Sequence, residues 1–522
     1  LQGTTCTRLG QRRWTGQVKG DIVHRRKSAF HRLSLVPTLR ACDFFRSGQL
    51  RRWRYGSGMN THDASPDTAA AAGTLFNLGE LGTVERNADP LAPTGAAPRL
   101  RLAERHQGEF RLVVLDKLLP ADHQVRAVWD YVCQVDLTPI LAKIEAVEGK
   151  PGRDTTDPRI LLCLWLFATL EGVGSARELD RLCTEHLAFL WICGGVTVNY
   201  HMLADFRVDH AEVLDQLLTH SVAVLRHAGL VDLERVAQDG MRVRASAGAS
   251  SFRRRGKLEG YLHEAKVQVE RLKNELQHDP ALPNKKRQAA RERAAREKVE
   301  RLEHALVELE KIEASREERK KGSGAQARAS STDPEARKTK MPDGGFRPAY
   351  NAQLATDTAS RIIVGVDMTN AVSDGGQMGP MLDEIKERHD QVPKAYLVDG
   401  GFTSRDDIDY AATEHKVNVY APIKDQKKKL DAGKDPFAPQ KGDTPAVQDW
   451  RARMGTEEAQ RLYRLRSATA EWTNAQARNR GLYRVTVRGL AKVKAVLLLY
   501  ALVHNLVQGE ALRAADKAAR GA

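Results

Sequence analysis

Apolar residues recur three and four positions apart in four stretches, 125–147, 158–171, 176–186 and 201–227, the spacing that lines one face of a helix. Gly149, Pro151, Gly172 and the Gly194–Gly195 pair interrupt them, so the pattern predicts a compact all-helical segment over 110–230. At Val231 the period shortens. The run VDLERVAQDGMRVRAS (231–246) alternates apolar and polar residues, which predicts a strand that turns at Asp239 and Gly240 and widens into a loop or hairpin. From 261 to 321 Glu, Lys, Arg, Leu and Ala dominate. Val269, Leu272 and Leu276 form one narrow apolar seam, and Val299, Leu302, Leu306, Leu309 and Ile312 form another. Pro280 and Pro283 divide the two, predicting an antiparallel helical hairpin.

Strand character returns at AYNAQLATD (349–357) and RIIVGVDMT (361–369), a second hairpin. A helix over 377–388 then leads to the short apolar strand AYLVDGGF (395–402), and a helix over 405–415 leads to a strand at 417–421. The Lys- and Pro-rich stretch 424–447 reads as an inserted loop. A long helix over 457–478 and an apolar helix near 493–507 follow, with 508–522 as a tail.

Charge changes the picture at the amino end. The 522 residues carry a net +15, but residues 1–58 hold 13 Lys and Arg against Asp21 and Asp43, or +11. The chain begins at Leu1 and its first methionine is Met59, so 1–58 is expected to be translated upstream sequence and Met59 the natural start. Residues 59–109, rich in Ala, Thr, Pro and Gly without periodicity, are expected to be a disordered lead-in. Most of the remaining positive charge lies in 252–340, with 24 basic and 16 acidic residues, which suggests a polyanionic partner for that segment. No membrane span is expected, because the longest apolar runs, 161–170 and 495–507, are well short of about 20 residues. The six cysteines make no CxxC pair, so neither a zinc ribbon nor a disulfide framework fits, and a cytoplasmic protein is expected.

The candidate chemistry is carried by acids. The order strand, hairpin, helix, strand ending in Asp399, helix, strand and acidic helix is that of a ribonuclease-H-like α/β core, if the helical hairpin counts as an insertion. Asp239 then lies on the first strand, Asp399 at the carboxyl end of the fourth, and Glu471 reaches them from the late helix. Phosphodiester transfer develops negative charge on both the attacking and the leaving oxygen. Two Mg²⁺ or Mn²⁺ ions held by three hard carboxylates can stabilise both.

The segments VAQDGMRVRASAG (236–248), STDPEARKTKMPDGGFRPAYNAQLATD (331–357), VDGGFTSRDDI (398–408), RSATAEWTNAQARNRGLYRVTVRGLAKV (466–493) and NYHMLADFRVDH (199–210) resemble the DDE transposases of bacterial insertion sequences that carry a helical insertion after the first Asp. The resemblance covers roughly 110–507. It implies DNA cleavage and strand transfer at terminal inverted repeats, Asp239, Asp399 and Glu471 as catalytic, metal-binding residues, and a homodimer on double-stranded DNA. The domains would be a helical DNA-binding part (110–230), a catalytic core (231–250 and 345–507) and a helical insertion (251–344). Arg466, Asn474 and Arg478 are candidate DNA contacts around the last acid, and Lys285, Lys286 and Arg287 in the insertion. Arg466 precedes Glu471 by five residues and Tyr463 by eight, one more than the commonest family spacing. A nuclease of the same fold, and a DNA-binding protein without catalysis, are the alternatives. A helix-turn-helix within 175–193 is a further candidate for reading the repeats.

Overall fold

The computed structural model describes residues 114–147, 154–278 and 285–521. The expected leader and lead-in, 1–58 and 59–109, lie outside these residues.

Seven helices between Gln124 and His227 form the amino-terminal part. The most apolar, Pro158–Leu170, starts where Asp157 caps the Arg159 N–H at 2.8 Å and Pro158 occupies the first turn. Ten of its thirteen residues are buried, as expected of a helix that is apolar all round. The long helix expected over 201–227 is two, Tyr200–Asp209 and Ala211–His227, which meet at His210.

The sheet is built from six of eight strands. These are β1 (Arg235–Arg244), β4 (Arg337–Lys340), β5 (Phe346–Asp357), β6 (Ile363–Thr369), β7 (Ala395–Leu397) and β8 (Asn418–Tyr420). Its order is β4-β5-β1-β7-β8, with β6 paired to the rest of β5. β1 and β5 are antiparallel, as are β5 and β6, whereas β1–β7 and β7–β8 are parallel. A mixed sheet in this order is compatible with the expected core.

Three expectations about this core change. β1 does not turn at Asp239 and Gly240; it runs straight through them, paired along its whole length with β5. The polar strand β4 falls inside the stretch assigned to the insertion, yet it pairs with β5 and belongs to the core sheet. The stretch read as a loop at 424–447 contains the helix Gln426–Asp431 and the start of another, Pro445–Met454, whose cap is Thr444.

The insertion is the helical hairpin Arg255–His278 and Lys285–Arg319, closed at its base by β2 (Phe252–Arg253) and β3 (Ala329–Ser330). Of the predicted seam, Leu302 and Leu309 are buried together with Leu258, Ala265 and Ala305, and Val269 and Leu272 with Ala295. Glu308, almost fully buried on the second helix, pairs with Arg337 of β4 and with Lys311 at 2.7 Å, tying the hairpin to the sheet.

The closing helix, Leu490–Gly521, absorbs the expected tail. Among the described residues it alone is long and apolar enough to cross a membrane. Its apolarity has another cause: Val493, Leu497, Tyr500 and Ala501 are buried in one core with the amino-terminal helices and with Met241, Tyr350 and Ile363 of the sheet. Its two polar interruptions hold backbone. Asn505 accepts from the Ile363 N–H and donates to the Ile363 carbonyl, both at 2.8 Å, and His504 meets the Arg361 carbonyl at 2.9 Å.

Candidate active site

The parallel pairing of β1 with β7 sets Arg235 opposite Ala395, Val236 opposite Tyr396 and Ala237 opposite Leu397. Continued by two residues, that register brings Asp239 beside Asp399. The two side chains also share a cation: Arg466 Nη2 lies 3.2 Å from Asp239 Oδ1 and 3.7 Å from Asp399 Oδ2. Asn474 donates from Nδ2 to Asp239 Oδ2 at 2.9 Å, and the Gly401 N–H donates to Asp399 Oδ1 at 2.7 Å. Burial raises the Asp239 carboxyl from 3.8 to about 6; Asp399 and Asp374 push the same way, and Arg466 and the Gly240 N–H oppose them.

Asp374, which the sequence did not single out, completes this end of the sheet. It accepts from Asn351 Nδ2 at 2.6 Å, Gln353 Nε2 at 2.9 Å and both terminal nitrogens of Arg242 at 3.2 and 3.1 Å. Gln353 in turn accepts from Gln238, which accepts from the Tyr396 hydroxyl at 2.9 Å. Asp374 lies directly over Gly240, where a Cβ would overlap Asp374 Oδ1 and come within 2.7 Å of Gln353 Nε2. Gly240 therefore serves close approach inside a strand, not a turn.

The late helix is continuous but changes pitch. Glu457–Arg466 and Trp472–Asn479 are α-helical, and Ser467–Glu471 between them is a π turn. Arg466 and Asn474 are eight residues apart, about 80° out of phase on an unbroken α-helix, yet both reach Asp239. A π turn takes up one extra residue, which leaves them about 20° apart. The same device accounts for the five-residue spacing from Arg466 to Glu471.

Glu471 does not join the two aspartates. It is exposed and makes no hydrogen bond or ion pair among the described residues. No three His, Cys, Asp or Glu side chains among those residues stand close enough to hold a metal ion. Glu471 stands three residues before Asn474, within about 60° of its face and one turn earlier. Arg466, not Glu471, fills the space between the aspartates.

Of the expected DNA contacts, Arg466 and Asn474 face Asp239. Arg478 is exposed. Arg287 is exposed near the start of the second hairpin helix, and the side chains of Lys285 and Lys286 lie outside the described residues. Trp472 packs edge-on against His504 under the Arg361 guanidinium, a structural role. The 175–193 stretch forms two helices, and in the second, Leu187–Cys193, Ala188, Phe189, Ile192 and Cys193 are buried while the Trp191 indole N–H donates to Asp116 Oδ1 at 3.3 Å.

Two carboxylates in register, one desolvated and bridged by a guanidinium, are hard oxygen donors suited to a divalent cation. Comparison with known families finds two matches. Residues 113–209 match a family described as a transposase domain, and residues 319–506 match one described as the transposase DDE domain. Asp399 and Glu471 fall inside the second match, and Asp239 lies between the two. No curated protein and no solved structure matches the chain.

Proposed function

Because the chain belongs to the DDE transposases of insertion-sequence type, we propose that it binds the terminal inverted repeats of its element and cuts and rejoins DNA there, with Asp239, Asp399 and Glu471 as its acids. The observation that carries this reading is the shared register of β1 and β7, with Arg466 bridging the two aspartates. The core is read as ribonuclease-H-like on its strand order.

Asp239 and Asp399 would hold the divalent cation, with Glu471 as a third ligand from the exposed side. When bound, Mg²⁺ or Mn²⁺ in one or two copies would stabilise the charge that develops on the attacking and leaving oxygens. The protein's own groups fix the ligands beforehand. Asn474 and the Gly240 N–H hold the two oxygens of Asp239, and the Gly401 N–H holds Asp399 Oδ1 and leaves Oδ2 toward Arg466. The Asp374 network fixes Gln238 and Gln353 beneath them. Arg466 is a planar cation suited to a phosphodiester presented at the same place.

Asp239→Asn, Asp399→Asn and Glu471→Gln each remove a charged ligand with little change in volume. Each is expected to abolish Mg²⁺-dependent cleavage of element-end DNA while end binding persists. Near wild-type cleavage in any of the three would remove that residue from the set. Strand transfer by the wild-type chain separates a transposase from a nuclease of the same fold.

A further inference from the structure

A second cation-rich feature lies where the insertion meets the core. A cavity of about 630 Å³ opens between the second hairpin helix, the edge strand β4 and the 370–372 loop. Lys311, Arg316, Arg319, Arg328, Arg337 and Lys338 line it, and no acidic residue does. Glu308 pairs with both Lys311 and Arg337, which leaves one net positive charge on the three. Arg316, Arg319, Arg328 and Lys338 are exposed and make no ion pair among the described residues. Four uncompensated cations around one concave surface repel one another, a cost that an anionic occupant would remove.

The cavity connects to the acids through a short stretch of chain. Arg242 holds the loop at both ends, donating to the Val372 carbonyl at 3.0 Å and to Asp374. Val372 lines the cavity, and Asp374 packs on Gly240, the residue that follows Asp239 in β1.

We propose that this groove is a binding site for the DNA backbone, seating consecutive phosphates away from the one that reacts. The inference rests on the function proposed above and adds a location to it. Arg316 and Arg319 on the hairpin helix and Arg328 and Lys338 beside it clamp the strand from two sides. The insertion thus contributes a wall of the substrate channel at its base, apart from the basic run at its tip. Phosphate contacts carry no sequence information, so the groove sets affinity and register, not choice of site.

The test is a binding titration of the full chain on element-end duplex and on random duplex, at salt concentrations from 50 to 200 mM. It compares the wild type with Arg316→Ala/Arg319→Ala/Arg328→Ala/Lys338→Ala. Each phosphate contact contributes roughly 0.9 to the slope of log K against log salt. The quadruple variant is expected to lose about 3 to 4 from the slope on both DNAs. Across that salt range the wild type would then lose roughly 100-fold more affinity than the variant. If the quadruple variant melts early, the pairs Arg316→Ala/Arg319→Ala and Arg328→Ala/Lys338→Ala each read half of the change. An unchanged slope in variants of a chain that binds duplex overturns the groove alone. A wild type that binds no duplex overturns the function it rests on as well. Inorganic phosphate that raises the melting temperature of the wild type but not of the variant, with identical DNA slopes, assigns the groove to a small anion and overturns the proposal.

Discussion

Asp239→Asn should make the cation-free protein more stable, and the gain should depend on pH in a defined way. The Asp239 side chain is only 16% exposed, and its carboxyl is raised from 3.8 to about 6, chiefly by burial. A raised acid favours folding while it is protonated, so its contribution is fully present below about pH 4 and is lost as pH rises through about 6. The shift corresponds to about 3 kcal/mol at 1.36 kcal/mol per unit. Asparagine stays neutral and avoids that loss. The variant should therefore match the wild type near pH 4, gain on it between about pH 4 and 6, and lead by about 3 kcal/mol above pH 7. With about 2.1 cal/mol/K of unfolding entropy per residue over roughly 400 residues, the lead is about 3 to 4 °C in melting temperature. The assay is thermal or urea unfolding of both proteins in chelator from pH 4 to 8. Mg²⁺ added to the wild type should recover up to about 2.7 kcal/mol at a hundredfold excess over its dissociation constant, and should do much less for the variant. A variant less stable than the wild type at pH 7 to 8, or a gap that does not grow with pH, would refute the argument that burial of this charge is an uncompensated cost.

Deleting Ala468 removes the one residue that the π turn takes up, so an unbroken α-helix should keep Arg466 and Asn474 about 20° apart and cleavage should change little; a loss of about 100-fold, as for a misplaced group, would show that the turn itself sets the site. Gly240→Ala should drive Asp374 off the strand and separate Arg242 from it, lowering the urea midpoint; an unchanged midpoint would mean that the close approach is not needed. Lys285→Ala/Lys286→Ala/Arg287→Ala should weaken binding to element ends and random duplex about equally and flatten the salt slope by roughly 2 to 3, which titrations at several salt concentrations would detect. Asn505→Leu leaves the Ile363 N–H and carbonyl without their partners and should cost about 2 to 5 kcal/mol in denaturant unfolding; a cost below about 1 kcal/mol would contradict the contacts.

The two aspartates could be found in the sequence, although the reason each is followed by glycine could not. Asp239–Gly240 looks like a turn because Asp and Gly are common in turns. The partner that requires the glycine, Asp374, is more than a hundred residues away in a loop of Ser, Asp and Gly that reads as solvent. Its donors, Arg242, Asn351 and Gln353, come from two strands whose register only the folded sheet fixes. β4 was hidden for a related reason. RKTK has the composition of the adjoining insertion, and it is a strand because β5 offers it an edge. The hairpin and its seam were legible because Leu302, Leu306 and Leu309 follow helical spacing without outside help. The π turn leaves no mark in SATAE. Only the odd spacing between Arg466 and Glu471 pointed to it.

The closing helix limits how this protein can change. Leu490–Gly521 packs against the amino-terminal helices and the sheet at once, and residues of all three share one core. The amino-terminal helices are therefore not a detachable head that recombination could exchange between relatives. A graft would have to bring its own matching closing helix, which begins only at Leu490, well beyond the end of these helices at His227, or leave half of that core without a partner. Changes in what these helices do must arise by substitution on the surface of the helices already present. The inherited unit is the whole body from the first described helix to the last.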